Sequence, residues 1–250
     1  MHRFFVSPDA IGRGRVLIQG QQAHHIRNVL RMTPGEHIII LDDSGWEMEV
    51  ELTEVEPYQI SGNIIRRMLA RGEPRVKVSL YQAMLKGDRF EFALQKGTEL
   101  GIVEFVPIIT SRCVVANLDD IRRKHERWER IIREAAEQSR RGRLPVLEPA
   151  TMFQQALERA RDAGGLTLLP WEDENRTSLK RLLSSAPLPF SINLFIGPEG
   201  GFTEEEVRMA QAYGVRTVSL GPRILRAETA GIVAAAAILY EAGDLEPLPA

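Results

Sequence analysis

Over the first seventy residues, apolar and polar positions alternate in short runs. Arg3 to Val6, Val16 to Ile18, His37 to Leu41, Trp46 to Val55 and Gln59 to Met68 have the period of strands. Within the fourth run, Trp46, Met48, Val50 and Leu52 alternate with Glu47, Glu49 and Glu51, the pattern of a strand with one wet face. The separators Ser7-Pro8-Asp9, Thr33-Pro34-Gly35, Asp42-Asp43-Ser44-Gly45 and Glu56-Pro57 are turn chemistry. One helix interrupts the strands, Gln21 to Arg31, with Ile26, Val29 and Leu30 on its inner side. Short strands around one helix predict a small β-barrel domain over residues 1–72, an architecture that often binds oligonucleotides.

Ala70-Arg71-Gly72-Glu73-Pro74 reads as a linker, and the texture changes after it. Strand patterns at Val76 to Met84, Ile102 to Ile109, Leu166 to Leu169, Ile192 to Ile196 and Val215 to Leu220 alternate with helical ones. The helices are Asp88 to Leu100, Leu118 to Arg141, Met152 to Ala163, Ser178 to Leu183, one after Thr203, and Thr229 to Ala242. Thr151 with Gln154, and Thr203 with Glu206, read as capping boxes. Such alternation predicts an α/β domain over residues 73–250, with a mainly parallel sheet covered by helices on both faces. The last helix is apolar nearly all round, so it is buried in the core or against a second subunit, which makes a homodimer an expectation.

Composition narrows the chemistry. The net charge of −2 gives no global attraction to nucleic acid, so any basic surface is local. A single cysteine, Cys113, rules out an internal disulfide and a multi-cysteine zinc site, and is read as a small buried apolar residue. The adjacent His24 and His25 point about 100° apart on a helix and have no further ligands nearby, so no metal is expected. No apolar signal core opens the chain and no run reaches the ~18 apolar residues of a membrane span, so the expectation is a cytoplasmic protein without membrane attachment.

The densest signals are two turns near the C-terminus. Ile196-Gly197-Pro198-Glu199-Gly200-Gly201-Phe202 follows one predicted strand. Leu220-Gly221-Pro222-Arg223-Ile224-Leu225-Arg226-Ala227-Glu228-Thr229-Ala230 follows the next. Ligands of open α/β sheets bind beyond the carboxyl ends of the strands, where these turns fall. Gly200-Gly201 leaves out side chains where the flat face of a ligand would approach the backbone. Basic groups gather in two further places. One is His25, Arg27 and Arg31 on the first-domain helix, with Arg3 near in sequence. The other is Arg140-Arg141-Gly142-Arg143 at the expected end of the long helix, a candidate phosphate patch.

These segments, with Gln95-Lys96-Gly97-Thr98-Glu99-Leu100-Gly101 and Ala135-Ala136-Glu137-Gln138-Ser139-Arg140, resemble the RsmE-type 16S ribosomal RNA (uracil-N3) methyltransferases of the SPOUT class. The resemblance implies a PUA-like RNA-binding barrel, then an α/β knot whose C-terminal end is tucked as a deep trefoil knot. It also implies a homodimer, S-adenosylmethionine as cofactor, and a uridine of 16S rRNA in the assembled small ribosomal subunit as substrate. Adenine would lie among Leu169, Pro170, Leu220, Ile224 and Leu225. Hydrogen bonds would come from the backbone of Gly197, Gly200, Gly201 and Gly221, with Pro198, Glu199, Thr229 and Ala230 completing the cofactor pocket. Arg226 is the candidate stabiliser of charge on the uracil, and Glu199 or Glu228 the candidate proton acceptor. RNA contacts would fall to Arg3, His25, Arg27, Arg31, Lys86, Lys96, Arg112, Arg140, Arg141 and Arg143. Two rivals stay open: another SPOUT enzyme acting on a ribose 2′-OH or a tRNA base, and a non-catalytic RNA-binding assembly protein.

Overall fold

The computed structural model describes residues 1–114 and 117–247. The chain forms two compact units, one made of Met1–Glu73 with Ala136–Leu144, the other of Pro74–Ala135 with Pro145–Ala250.

In the first unit, strands β1 (Arg3–Phe5), β2 (Ile11–Gly12), β3 (Arg15–Gln19), β4 (His37–Leu41), β5 (Trp46–Val55) and β6 (Gln59–Leu69) make one six-stranded sheet in the order β1-β4-β5-β6-β3-β2. Only β1 and β4 run parallel; every other pair is antiparallel. The alternation read in β5 is the observed one. Met48, Val50 and Leu52 enter a core with Val16, Ile18, Ile38, Ile40 and Ile60, while the intervening glutamates face outward. The expected helix over Gln21 to Arg31 is shorter and changes pitch. Helix α1 (Gly20–His24) runs into a π-helical turn, His25–Val29, and Arg31 takes a positive φ of 55°. Ala23 and Ile26 face the core, joined by Met32 beyond the turn, whereas Val29, expected on the inner side, is exposed.

The second segment of this unit departs from the expected long helix to Arg141. The helix α3 (Leu118–Gln138) stops three residues sooner, because Arg140 adopts φ 64° and the Arg141 N–H donates to the Ala136 carbonyl. Glu73 then grips the emerging chain. Its Oε1 accepts from the N–H groups of Gly142 and Arg143, both at 3.1 Å, and its Oε2 accepts from Arg141 Nη2 at 2.9 Å. The Leu144 N–H donates to Asp43, and Phe5, Ile39, Leu41, Ala136 and Leu144 close a small apolar cluster.

The second unit is the expected α/β layer. Strands β7 (Lys77–Ala83), β8 (Glu104–Ile109), β9 (Val146–Leu147), β10 (Thr151–Met152), β11 (Leu166–Pro170), β12 (Ser191–Ile196) and β13 (Arg216–Val218) are all parallel. Their order is β10-β8-β7-β12-β11-β13, with β9 added on β8. Alternate residues feed two cores. Val78, Leu80, Leu168, Ile192 and Leu194 pack under α2 (Arg89–Leu100), α3, α5 (Leu179–Leu183) and α7 (Ala227–Glu241). Tyr81, Ala83, Leu169 and Phe195 pack under α4 (Phe153–Ala163) and α6 (Glu204–Ala212). Burial on both faces accounts for the near-continuous apolar strands. Helix α7 presses Ala234, Ala235, Ile238 and Leu239 into the core, and leaves Val233 and Tyr240 exposed. Among the described residues, no helix is long and apolar enough to cross a membrane.

Of the two capping boxes, Thr203 and Glu206 form theirs reciprocally, at 2.9 and 3.2 Å. The other is shifted by one residue: Met152 caps α4, and Gln155 rather than Gln154 accepts from the Met152 N–H and the Thr151 hydroxyl. Thr151 is drawn into β10, which pairs with β8 and leaves the next residue to open the helix.

Candidate active site

Because β11, β12 and β13 are parallel neighbours, their carboxyl ends open on one edge of the sheet. A cavity of about 770 Å³ lies there, walled by Pro170 and Trp171 at the end of β11, the Ile196–Phe202 turn at the end of β12, and the Ser219–Ala230 segment after β13. Both glycine-rich turns therefore face one space. The three candidate catalytic residues, Arg226, Glu199 and Glu228, all line it, as do Pro170, Gly197, Pro198, Gly201, Leu220, Gly221, Ile224, Leu225 and Ala230. Leu169, Gly200 and Thr229 stand outside the wall: Leu169 is fully buried in the core beneath it.

The glycines of the first turn have a reason the sequence reading did not give. A Cβ on Gly197 would come within 3.1 Å of the Phe202 ring, and one on Gly200 within 3.3 Å of the Arg112 side chain. These glycines make room for the protein itself. Arg112 lies along the turn and donates from Nη1 to the Gly200 carbonyl at 2.6 Å. Gly221 differs. It has φ +107° and open space beside it, so backbone conformation alone demands glycine there.

Polar groups hold the wall rigid. Glu174 accepts from the Thr217 hydroxyl at 2.7 Å and from the N–H groups of Arg176 and Thr177. The Thr217 bond first, then the Arg176 N–H, keep its carboxyl below the usual glutamate range against an opposing pull from burial. Glu206, buried at the start of α6, accepts from the Ser111 N–H at 2.8 Å.

Glu199 accepts on a single oxygen, Oε1, from the Lys86 N–H at 3.0 Å and from Arg89 Nη1 at 2.8 Å. Burial works to raise its carboxyl, but the Lys86 N–H, its own backbone N–H and the Arg89 guanidinium outweigh it, leaving the group more acidic than usual. The same guanidinium brings Nε within 3.9 Å of Glu228 Oε1. The other Glu228 oxygen, Oε2, is buried with no hydrogen-bond partner among the described residues. Arg226 is the N-cap of α7; its carbonyl accepts from Thr229 and Ala230, and its exposed side chain has no protein partner among the described residues.

The candidate RNA contacts divide. In the first unit, His25, Arg27, Arg31 and Arg140 are exposed, whereas Arg3 is mostly covered and paired with Glu47. Arg141 is 2% exposed and held by Glu73, so its charge is committed to the fold, a correction to its expected place in an open phosphate patch. Arg143 is exposed but donates to the Ser44 carbonyl. In the second unit Lys86 and Arg112 are exposed and Lys96 pairs with Glu99. Cys113 is half-buried, with the Thr110 N–H donating toward its sulfur at 3.4 Å. No group of three or more metal-ligating side chains occurs among the described residues.

Sequence reasoning missed Arg89, Trp171, Glu172 and Glu174. The signal for Arg89 was present. Lys86-Gly87-Asp88-Arg89 follows β7, which is parallel to β12 and so ends on the same edge.

Residues 72–239 match the model of an RNA methyltransferase domain, and residues 18–64 that of an RNA methyltransferase PUA domain. A relative from Bacillus subtilis (strain 168), described as ribosomal RNA small subunit methyltransferase E, is 40% identical over 90% of this chain and 89% of its own. This chain belongs to that family. Among similar solved structures, the ribosomal RNA small subunit methyltransferase E of Neisseria gonorrhoeae, bound to S-adenosyl methionine, has a TM-score of 0.83 and 31% identity. The match covers 95% of this chain and 96% of that one. A putative methyltransferase from Legionella pneumophila, also in complex with S-adenosyl methionine, has a TM-score of 0.85 at 31% identity, covering 94% and 96%.

Proposed function

We propose that this chain transfers a methyl group from S-adenosylmethionine to N3 of a uridine in the decoding region of 16S rRNA, acting on the assembled small subunit. The reading rests above all on the one cavity that brings together Arg226, Glu199 and Glu228 between two glycine-bearing turns. Membership of a small-subunit rRNA methyltransferase family supports it.

The residues present suit that cofactor. The cavity volume falls within the range of small-molecule sites. Its wall combines apolar groups, Pro170, Ile196, Leu220 and Leu225, with the carboxylates Glu172, Glu174, Glu199 and Glu228. Apolar surface suits adenine, and carboxylates suit a ligand with ammonium and sulfonium charges. Glu228 Oε2 is buried and has no donor among the described residues, a polar group left short of a partner. When bound, S-adenosylmethionine supplies an electrophilic methyl on a positively charged sulfur.

The chain must then orient uridine, take the proton from N3 and steady the charge that spreads onto O2 and O4. Arg226, which lines the cavity and whose side chain has no partner among the described residues, takes the last task. A carboxylate of the wall accepts the proton. Exposed His25, Arg27 and Arg31 of the PUA-like unit contact RNA phosphates. The C-terminal segment forms a trefoil knot, and the chain acts as a homodimer through the apolar residues α7 leaves exposed, Val233 and Tyr240.

The test is methyl transfer from labelled S-adenosylmethionine to undermodified small subunits and to free 16S RNA, with mass spectrometry of the nucleosides. 3-Methyluridine from subunits is the expected product. A 2′-O-methylated nucleoside, or transfer to neither RNA with cofactor binding intact, would overturn the assignment of the reacting atom or of the substrate.

A further inference from the structure

Glu199 and Glu228 cannot be assigned separate roles from the sequence; their contacts separate them. Glu199 is an anchor. Its Oε1 takes two donors from outside its own turn, the Lys86 N–H and Arg89 Nη1, and so ties the turn after β12 to the start of α2. Glu228 has a different setting. It lies in the first turn of α7, where the helix dipole favours a negative charge, with a side chain only 12% exposed. Its Oε1 stands 3.9 Å from Arg89 Nε, and its Oε2 is buried with no donor among the described residues.

Arg89 is the group common to both. It is the first residue of α2, its side chain is 42% exposed, and it lines the cavity. A planar guanidinium presents donors in fixed directions, so fastening Nη1 on Glu199 also fixes where Nε points. Without it, Glu199 and Glu228 would lose the cation they share.

We propose that Arg89 is a positioning residue of the methyl-transfer site, fastening Glu199 as a structural anchor and holding Glu228 as the carboxylate that receives the N3 proton of uridine. The proposal rests on the function given above. The proton leaves N3 for the Glu228 carboxylate, and the electron pair it leaves behind stays on the uracil, shared among N3, O2 and O4. Glu199 takes no proton.

The experiment compares Arg89→Ala, Arg89→Lys, Glu199→Gln and Glu228→Gln with the unsubstituted chain. It measures turnover on undermodified small subunits, and S-adenosylmethionine affinity by calorimetry without RNA. For Arg89→Ala, kcat is expected to fall about 100-fold, the scale of a misplaced catalytic group, while cofactor Kd stays within about threefold. Arg89→Lys, which keeps a single cation for Glu199, restores about a tenth of the activity. Glu199→Gln still accepts both donors and loses about threefold, whereas Glu228→Gln loses at least about 100-fold. Equal losses for the two glutamine variants, or a fall in kcat that tracks a loss of cofactor affinity in Arg89→Ala, would overturn the proposal. If the unsubstituted chain binds cofactor but makes no 3-methyluridine, the underlying function falls instead, which is a distinct result.

Discussion

Of the arginines that line the cavity, Arg89 and Arg226 are held in opposite ways. Arg89 is bound to Glu199, whereas the Arg226 side chain has no partner among the described residues although its backbone is fixed as the N-cap of α7. A fixed base with a free guanidinium is a preorganised donor, which gains most when charge develops opposite it. Arg226→Ala is therefore expected to slow methyl transfer by about 100-fold or more, with cofactor affinity unchanged, measured by single-turnover kinetics beside calorimetry. Loss of cofactor binding alone would assign Arg226 to the pocket rather than to the reaction. At this level the sequence was legible where chemistry coincides with motif. Glu199, Arg226 and Glu228 stand out among turn residues and line one cavity. It was incomplete where one residue type serves two ends. Gly197 and Gly200 clear space for Phe202 and Arg112, a packing demand visible only when those neighbours arrive.

The elements around the cavity are tied together mainly by carboxylates that accept backbone N–H groups. Glu174 is the clearest, stapling the segment after β11 to Thr217 of β13. Its folded-state carboxyl is more acidic than an ordinary glutamate. The stability it contributes is thus fully present above the unfolded value of about 4.3 and is lost as pH falls through the lowered folded value. Glu174→Gln keeps the acceptor but cannot titrate. On acidification from about pH 5 to about pH 3, the variant should lose less of its thermal midpoint than the unsubstituted chain, as followed by circular dichroism. Element types and order were readable because both cores impose a period on their strands, as Leu168 and Leu169 show by entering opposite ones. Ends were readable only where the local chemistry decides them. Thr203 and Glu206 lie free of any sheet and cap as expected, whereas Thr151 is claimed by β10. The path of the chain after α3 depends on Glu73, over sixty residues away, and no local pattern announces it.

For the molecule as a whole, the junction at Glu73 is the main stake. Arg141 is nearly inaccessible and Glu73 neutralises it while also accepting two backbone N–H groups. Removing the carboxylate leaves a buried guanidinium short of its counter-charge, so Glu73→Ala should cost about 3 kcal/mol, read by denaturant unfolding with a probe in the first unit. A variant within about 0.5 kcal/mol of the unsubstituted chain, the usual range for surface changes, would show that Arg141 is served by its other contacts. The grouping of Ala136–Leu144 with the first unit follows from this grip and from the cluster of Phe5, Ile39 and Leu41 with Leu144. It carries no hydrophobic period of its own, which is why it stayed invisible in the sequence.

The discontinuous first unit also sets a timetable for synthesis. Its strands are all translated by Leu69, yet the piece that covers Phe5, Ile39 and Leu41 ends at Leu144, so the nascent sheet emerges with that side bare. Until some seventy further residues have been added, a protein read here as a ribosome modifier is itself an unfinished client at the exit tunnel, open to chaperones or to premature pairing with its neighbours.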